Sequence, residues 1–277
     1  IVAGQGRTSI SMLVSLAGTN FFQVGKTMLP FRPGPGGTPV FRLGQGTSAQ
    51  DVTRYTAFRS VLNTEYANLM EDAFADLSNK SIIEADTINT ALQGTSAFSM
   101  IPNSDLGNQL RTVAKLVQAQ GPLGMSRQIF FVATGGFDTH GDQIAPHANL
   151  LAGVSAAMKG FQDGLDSINM GGAVTTFTAS DFNRTFDSNG RGSDHGWGNE
   201  QFVLGGAVKG GAIYGTVPTH RLTGPDDEGN EGRWIPTIAT DEYAATLALW
   251  FGVNASDLPD VLPNINRFNR INLGFLT

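Results

Sequence analysis

The sequence contains no cysteine. That excludes disulfides, thiolate metal sites and a thiol nucleophile, but leaves the compartment open. Charge is scarce: Asp, Glu, Lys and Arg make up 15% of the 277 residues, against about 25% in a typical globular chain. Hydrophobic residues make up 40%, so a disordered tail, a coiled coil and a charge-rich arm are all excluded. Basic runs are lacking too. Lys plus Arg number 18 against 24 Asp plus Glu, a net charge of −6, which argues against a nucleic-acid partner. No apolar run approaches the ~18 residues needed to cross a bilayer. The chain begins at Ile1 rather than Met, which reads as a processed or truncated start, with any export signal already removed.

What the chain does have is glycine, 35 residues, where usual abundance would be about 7%. The glycines fall in short clusters that punctuate apolar segments. Ser9 to Phe22 reads as a buried strand ending at Gly18, followed by a loop, and residues 30–47 read as irregular chain rich in Pro and Gly. Val52, Tyr55, Phe58, Leu62, Tyr66, Leu69, Ala73 and Leu77 recur every three or four residues, the stripe of a helix with Ser48 and Asp51 as caps. Residues 79–103 are weakly patterned and partly helical. Ser104 opens a second helix with Leu106, Leu110, Val113, Ala114 and Val117 inward.

Gln128 to Thr134 is a continuous apolar run, as a strand covered on both faces needs. A helix from about Pro146 follows, with Leu150, Val154, Met158, Phe161, Leu165 and Ile168 as its seam, and Ala173 to Thr178 reads as a second strand. This order predicts a right-handed βαβ unit with parallel strands. Ligands in such sheets bind beyond the carboxyl ends of the strands. Phe202 to Gly215 reads as two short strands joined by glycine turns, and a last helix spans about 241–251 with Tyr243, Leu247 and Trp250 on one face.

The chain has four histidines, His140, His147, His195 and His220. Two sit beside aspartates in glycine-punctuated loops, as Asp138-Thr139-His140 and Asp194-His195-Gly196, and Asp181 ends the second predicted strand. Carboxylate and imidazole together are the ligand set of Zn²⁺, Mn²⁺ and similar ions. Asp138 and His140, two apart, point the same way in an extended segment. Arg184 offers a forked donor for an anion. Asp138, His140, Asp181, Asp194 and His195 as metal ligands, with Arg184 on the anion, suit metal-assisted hydrolysis of a phosphate or sulfate ester. Any one of these groups alone reads as a cap or loop staple rather than a ligand, only the joint placement of the three clusters at one sheet edge points to a metal, and Arg184 is equally an ion-pair partner of Asp181 or Asp187. His147 lines a helix start, and His220 reads as a surface loop residue. The glycines of 205–215 read as tight turns rather than a phosphate cradle, because no P-loop Lys-Ser/Thr follows. Trp197, Trp234 and Trp250 read as core. No Gly-x-Ser-x-Gly elbow occurs.

Several strings resemble a bacterial family, that of domain of unknown function 1501: Gly135-Gly136-Phe137-Asp138-Thr139-His140, Ser180-Asp181-Phe182-Asn183-Arg184-Thr185, Ser193-Asp194-His195-Gly196, Gly205 to Gly215, Arg233 to Thr237, Asp241-Glu242-Tyr243 and Leu262-Pro263-Asn264. The resemblance covers roughly residues 104–268. It implies an α/β protein: a three-layer α/β/α sandwich with a mostly parallel sheet, similar to alkaline phosphatases and sulfatases. On that reading residues 1–277 form a single domain made of the loop at 30–47, a helical segment at 48–120 and a family core at 127–277. The chain then resembles the C-terminal two-thirds of a longer protein whose N-terminal part, with the nucleophile, is missing. The resemblance also implies a divalent metal (Zn, Mn, Mg or Ca) and an anionic ester substrate. It further implies twin-arginine export to the periplasm or cell surface, and an exported partner protein or a homo-oligomer. The sequence departs from the family at Asp181, where Glu is usual, and at Asn183, where Gly is usual. The alternative function is a non-catalytic exported binding or assembly protein, which the departure at Asp181 and the missing front favour.

Overall fold

A computed structural model describes residues 10–25, 30–33 and 46–277. The irregular stretch expected at 30–47 lies mostly outside the described residues, as does Ser9. Among the described residues there are six α-helices and six short strands. The chain forms two compact units, one holding Met100–Pro102 and Thr134–Thr277, the other the described residues up to Ser99 together with Asn103–Ala133.

In the second unit, β1 (Leu13–Ser15) pairs in parallel with β2 (Ile129–Phe131), Val14 opposite Phe130. The buried Gln23 amide donates to the carbonyls of Val14 and Ile129, at 3.1 and 2.9 Å, and pins the pair from the side. The helical stripe over residues 52–77 resolves into two helices, α1 (Ala49–Leu62) and α2 (Leu69–Leu92). Ser48 caps α1 by accepting the Asp51 amide. The break falls at Asn63–Asn68 because Asn68 turns its side chain back to accept the Met70 amide at 2.9 Å, a bond that competes with helix continuation. Leu62, Ala75 and Ile82 form the hairpin's core with Phe58 and Tyr66 against it. Val52, Leu69 and Leu77, placed inward by the periodicity, are exposed. Helix α3 (Asp105–Gln118) starts at the expected Ser104, whose hydroxyl accepts the Gly107 amide, and buries Leu110, Val113, Ala114 and Val117.

In the first unit, α4 (Ile144–Ser167) follows its predicted seam: Phe161 and Leu165 are buried, and Leu150, Val154 and Met158 are half-buried. Gly160 has no side chain because the backbone of 100–102 lies against it. A Cβ there would stand 2.5 Å from the Met100 carbonyl oxygen. Then come β3 (Thr176–Phe177), β4 (Asn183–Arg184), β5 (His195–Gly196), β6 (Val203–Leu204) and α5 (Thr240–Phe251). Short α6 (Leu258–Val261) ends the series. Helix α5 buries Glu242, Ala245 and Thr246, a different stripe from the Tyr243/Leu247/Trp250 face expected, and Ala245 packs with Leu258 and Ile265. Glu242 accepts the Ala239 amide at 2.9 Å and pairs with Arg270 at 3.0 Å, so it both caps the helix and ties down the C-terminal segment.

The expected three-layer sandwich is corrected by this topology. The strands form three separate two-stranded pairs among the described residues, and only β1–β2 is parallel. β2 and β3 do not pair: β3 lies antiparallel to β6, Phe177 opposite Val203. An alkaline phosphatase-like parallel sheet is therefore absent from the described residues. The physical reason lies in the glycines after β6. Gly205 has φ +150°, and Gly206 donates its amide to the Gly171 carbonyl at 2.9 Å. A Cβ on Gly206 would stand 2.7 Å from Gly172 Cα. That backbone approach seats β6 on β3. The apolar run at β2 is only half-buried; apolar length fixed the strand but not its neighbours.

Candidate metal centre

Two irregular segments and one hairpin build the site, all within the first unit. β4 and β5 are antiparallel, with Arg184 opposite His195 and Asn183 opposite Gly196. Cross-strand partners share a face of the sheet, so the Arg184 and His195 side chains leave the hairpin together. Asp138-Thr139-His140 meets them. The connecting loop of the hairpin grips this segment. Asn189 donates its amide to the His140 carbonyl at 2.9 Å, Gln143 N–H donates to the Arg191 carbonyl at 3.1 Å, and Ser193 donates to the Gln143 side chain at 2.8 Å. Gly192 lies directly on the backbone of Thr139 and His140.

Asp138 Oδ1 is the focus. His195 Nε2 stands 2.6 Å from it, His140 Nε2 2.9 Å and Arg184 Nη1 3.2 Å. One oxygen thus faces three nitrogens. Asp138, His140 and His195 each offer a ligand atom, and these atoms lie within 4.8 Å of one another. His140 presents its other nitrogen, Nδ1, to Asp194 Oδ1 at 2.9 Å. The His195 ring is stacked between Phe182, at 4.0 Å and 7°, and His140, at 4.9 Å and 29°. The hydrogen bond from His195, opposed by desolvation and aided by the nearby His140, by the Arg184 hydrogen bond and by the His195 charge, holds the Asp138 carboxyl below the usual carboxylate range.

The ligand side chains are open to solvent: Asp138 is 61% exposed, His140 48% and His195 45%. Arg184 is the exception at 11%. Its Nη1 is on Asp138, its Nη2 donates to the Ser193 carbonyl, and its buried Nε has no partner. Two of its three nitrogens are thus engaged within the protein, one by the carboxylate and one by the Ser193 carbonyl.

Of the predicted ligands, Asp138, His140 and His195 converge. Asp194 touches His140 but stands outside the convergent set. Asp181 is exposed and makes no hydrogen bond or ion pair with the cluster. His147 packs its ring edge on Phe137, and His220 stacks on Trp234 at 5.1 Å. Trp234 is buried as expected, whereas Trp197 is 59% exposed. The sequence reading passed over Phe182, Thr185, Asn189 and Ser193, which orient the site; three of them lie inside the strings that carried the resemblance, and Asn189 lies in the glycine-rich loop between two of those strings. It also passed over Arg233 as a site residue, whose Nε lies 3.4 Å from the His195 carbonyl oxygen.

An exposed Asp/His cluster gripped by a β-hairpin and its loop defines the class. The family described as Protein of unknown function (DUF1501) matches residues 45–227, so the chain belongs to that family. The match takes in the Asp138, Asp181 and Asp194 strings and begins upstream of the stretch from residue 104 that the motifs alone had covered. No curated protein and no solved structure matches the chain.

Proposed function

We propose that the chain is a divalent-metal-dependent hydrolase of phosphate or sulfate esters, with Asp138, His140 and His195 as the ligands. The observation that supports this reading is the convergence of two Nε2 atoms on one carboxylate oxygen, 2.6 and 2.9 Å away. Ligand atoms around a tetrahedral ion with bonds near 2.1 Å stand about 3.4 Å apart. The trio needs to open by roughly 0.5–0.8 Å, and its exposed side chains allow this. Carboxylate with imidazole suits zinc or manganese better than calcium.

An ion held there would supply Lewis-acid stabilisation of the ester's developing charge. The chain's own residues would hold and orient the ligands. Arg184 keeps Asp138 ionised and in place from its buried side. Phe182 holds the His195 ring plane, and the Asn189 and Ser193 bonds keep the two segments in register. The open surface admits a bulky ester.

Export to the periplasm or cell surface belongs to the same proposal, and cell fractionation tests it. Among the described residues no helix is long and apolar enough to cross a membrane. Elemental analysis of purified protein, with hydrolysis of p-nitrophenyl phosphate and p-nitrophenyl sulfate, tests the activity. One equivalent of metal, and turnover lost in Asp138→Ala, is expected. A metal-free protein that neither takes up Zn²⁺ or Mn²⁺ nor hydrolyses either ester refutes it.

A second reading, a non-catalytic exported assembly module binding a partner protein or a second copy, has its own observation. Met70, Phe74 and Leu77, spaced for one helix face, are 78, 69 and 58% exposed on α2. Light scattering of the native protein and of Phe74→Asp tests self-assembly through this face; a monomer in both cases removes the second copy as its occupant.

A further inference from the structure

Resting on the metal-site reading above, we propose that Asp194 is a positioning residue that fixes the His140 tautomer, and not a metal ligand. A neutral imidazole carries one N–H and one lone pair. His140 has a carboxylate oxygen 2.9 Å from each ring nitrogen, Asp194 at Nδ1 and Asp138 at Nε2. Only one of those contacts is a hydrogen bond in the neutral ring. The structure favours the Asp194 side for that bond on two grounds.

The first is anchorage. Asp194 is held at its backbone: its N–H donates to Thr185 Oγ1 at 3.0 Å and its carbonyl accepts the Thr185 amide at 2.8 Å. Thr185 is itself buried, and its hydroxyl donates to the Asp187 carbonyl. The main chain bearing the carboxylate is thus locked into the continuation of the β4–β5 ladder. The second is convergence. Asp138 Oδ1 already receives His195 Nε2 at 2.6 Å and Arg184 Nη1 at 3.2 Å. With Nδ1–H given to Asp194, the His140 Nε2 lone pair points at the same place as the other two ligand atoms. A cation there removes the repulsion between that lone pair and the carboxylate. Carboxylates that hold a ligating histidine in this way typically contribute 10–100-fold to metal affinity. The lone Asp194 oxygen on Nδ1 cannot reach the ion without releasing the ring.

The experiment is Zn²⁺ titration calorimetry on the full chain, with long-range ¹H–¹⁵N correlation of the histidine rings, for wild type, Asp194→Ala, Asp194→Asn and Asp138→Asn. Wild type is expected to bind one Zn²⁺ with the His140 proton on Nδ1. Asp194→Ala should still bind one equivalent, 10–100-fold more weakly. Asp194→Asn, whose amide oxygen still accepts Nδ1–H, should recover most of the loss. Asp138→Asn should bind far more weakly than either. Asp194→Ala losing binding as completely as Asp138→Asn makes Asp194 a ligand and overturns the proposal, as does unchanged affinity. If wild type takes up no Zn²⁺, the metal reading itself fails. The tautomer in the metal-free protein then decides the positioning role: Nδ1–H in wild type, lost in Asp194→Ala, sustains it, and any other pattern ends it. Circular dichroism separates these outcomes from misfolding.

Discussion

Replacing Gly192 with alanine probes the contact that closes the site. A methyl there would stand 2.6 Å from both the carbonyl carbon and the oxygen of His140, and closer still to the Thr139 oxygen. These are backbone atoms, so no side chain can swing away. Non-bonded contacts settle near 3.5 Å, and the two segments must therefore part by about 1 Å. Overpacking of this kind costs about 1–3 kcal/mol. The functional effect is larger in proportion. His140 sits on one segment and His195 on the other, so a parting of about 1 Å adds to the opening the ligand side chains must already make. Gly192→Ala is expected to lower urea-unfolding stability by about 1–3 kcal/mol and to weaken Zn²⁺ binding by at least tenfold. Gly153→Ala, on α4 with nothing within 4 Å of its added Cβ, is the control and should stabilise by about 0.5–1 kcal/mol. A Gly192→Ala protein with wild-type stability and Zn²⁺ affinity would show that the hairpin loop does not hold the site together.

Three further outcomes are expected. Glu242→Ala removes the acceptor for the Ala239 amide and for Arg270 and should cost about 1.5–3 kcal/mol in chemical denaturation, with residues 270–277 losing hydrogen-exchange protection first. Burial pushes the Glu242 carboxyl up, but the Ala239 amide and Arg270 outweigh it and hold it below the usual range. Its stabilisation is therefore complete above the unfolded value of about 4.3 and disappears as pH falls through the lower folded value; an acid titration of Glu242→Gln should lack that component. Asp138, also held low, follows the same sign: the cluster's contribution is present above about pH 3.9 and fades below it in wild type but not in Asp138→Asn, as followed by near-UV circular dichroism. Ser104→Ala should cost about 1 kcal/mol through loss of the α3 cap, measured by thermal melting.

Elements whose chemistry is local were legible in the sequence. Ser104 capped its helix as read, because a serine hydroxyl reaches an amide three residues on whatever surrounds it. The α4 seam was found because its apolar period is internal to the helix. The break between α1 and α2 was hidden, since the apolar spacing ran through it and the competing Asn68 bond carries no hydrophobic pattern. The α5 face was misplaced for a related reason: Glu242 and Thr246 are buried by their partners, Arg270 and the Leu273 amide, and not by apolarity.

The sequence by itself determined the chemistry available to the site: aspartate and histidine in glycine-punctuated loops, no thiol, and strings specific enough to indicate the family. Only the tertiary structure decided which of those groups meet. Strand pairing and loop docking are long-range choices made by backbone contact, and Gly206 and Gly192 permit them, respectively, by letting main chains touch. That is why β3 joined β6 and not β2, why Asp181 was left outside, and why Asp138, His140 and His195 share one oxygen's surroundings.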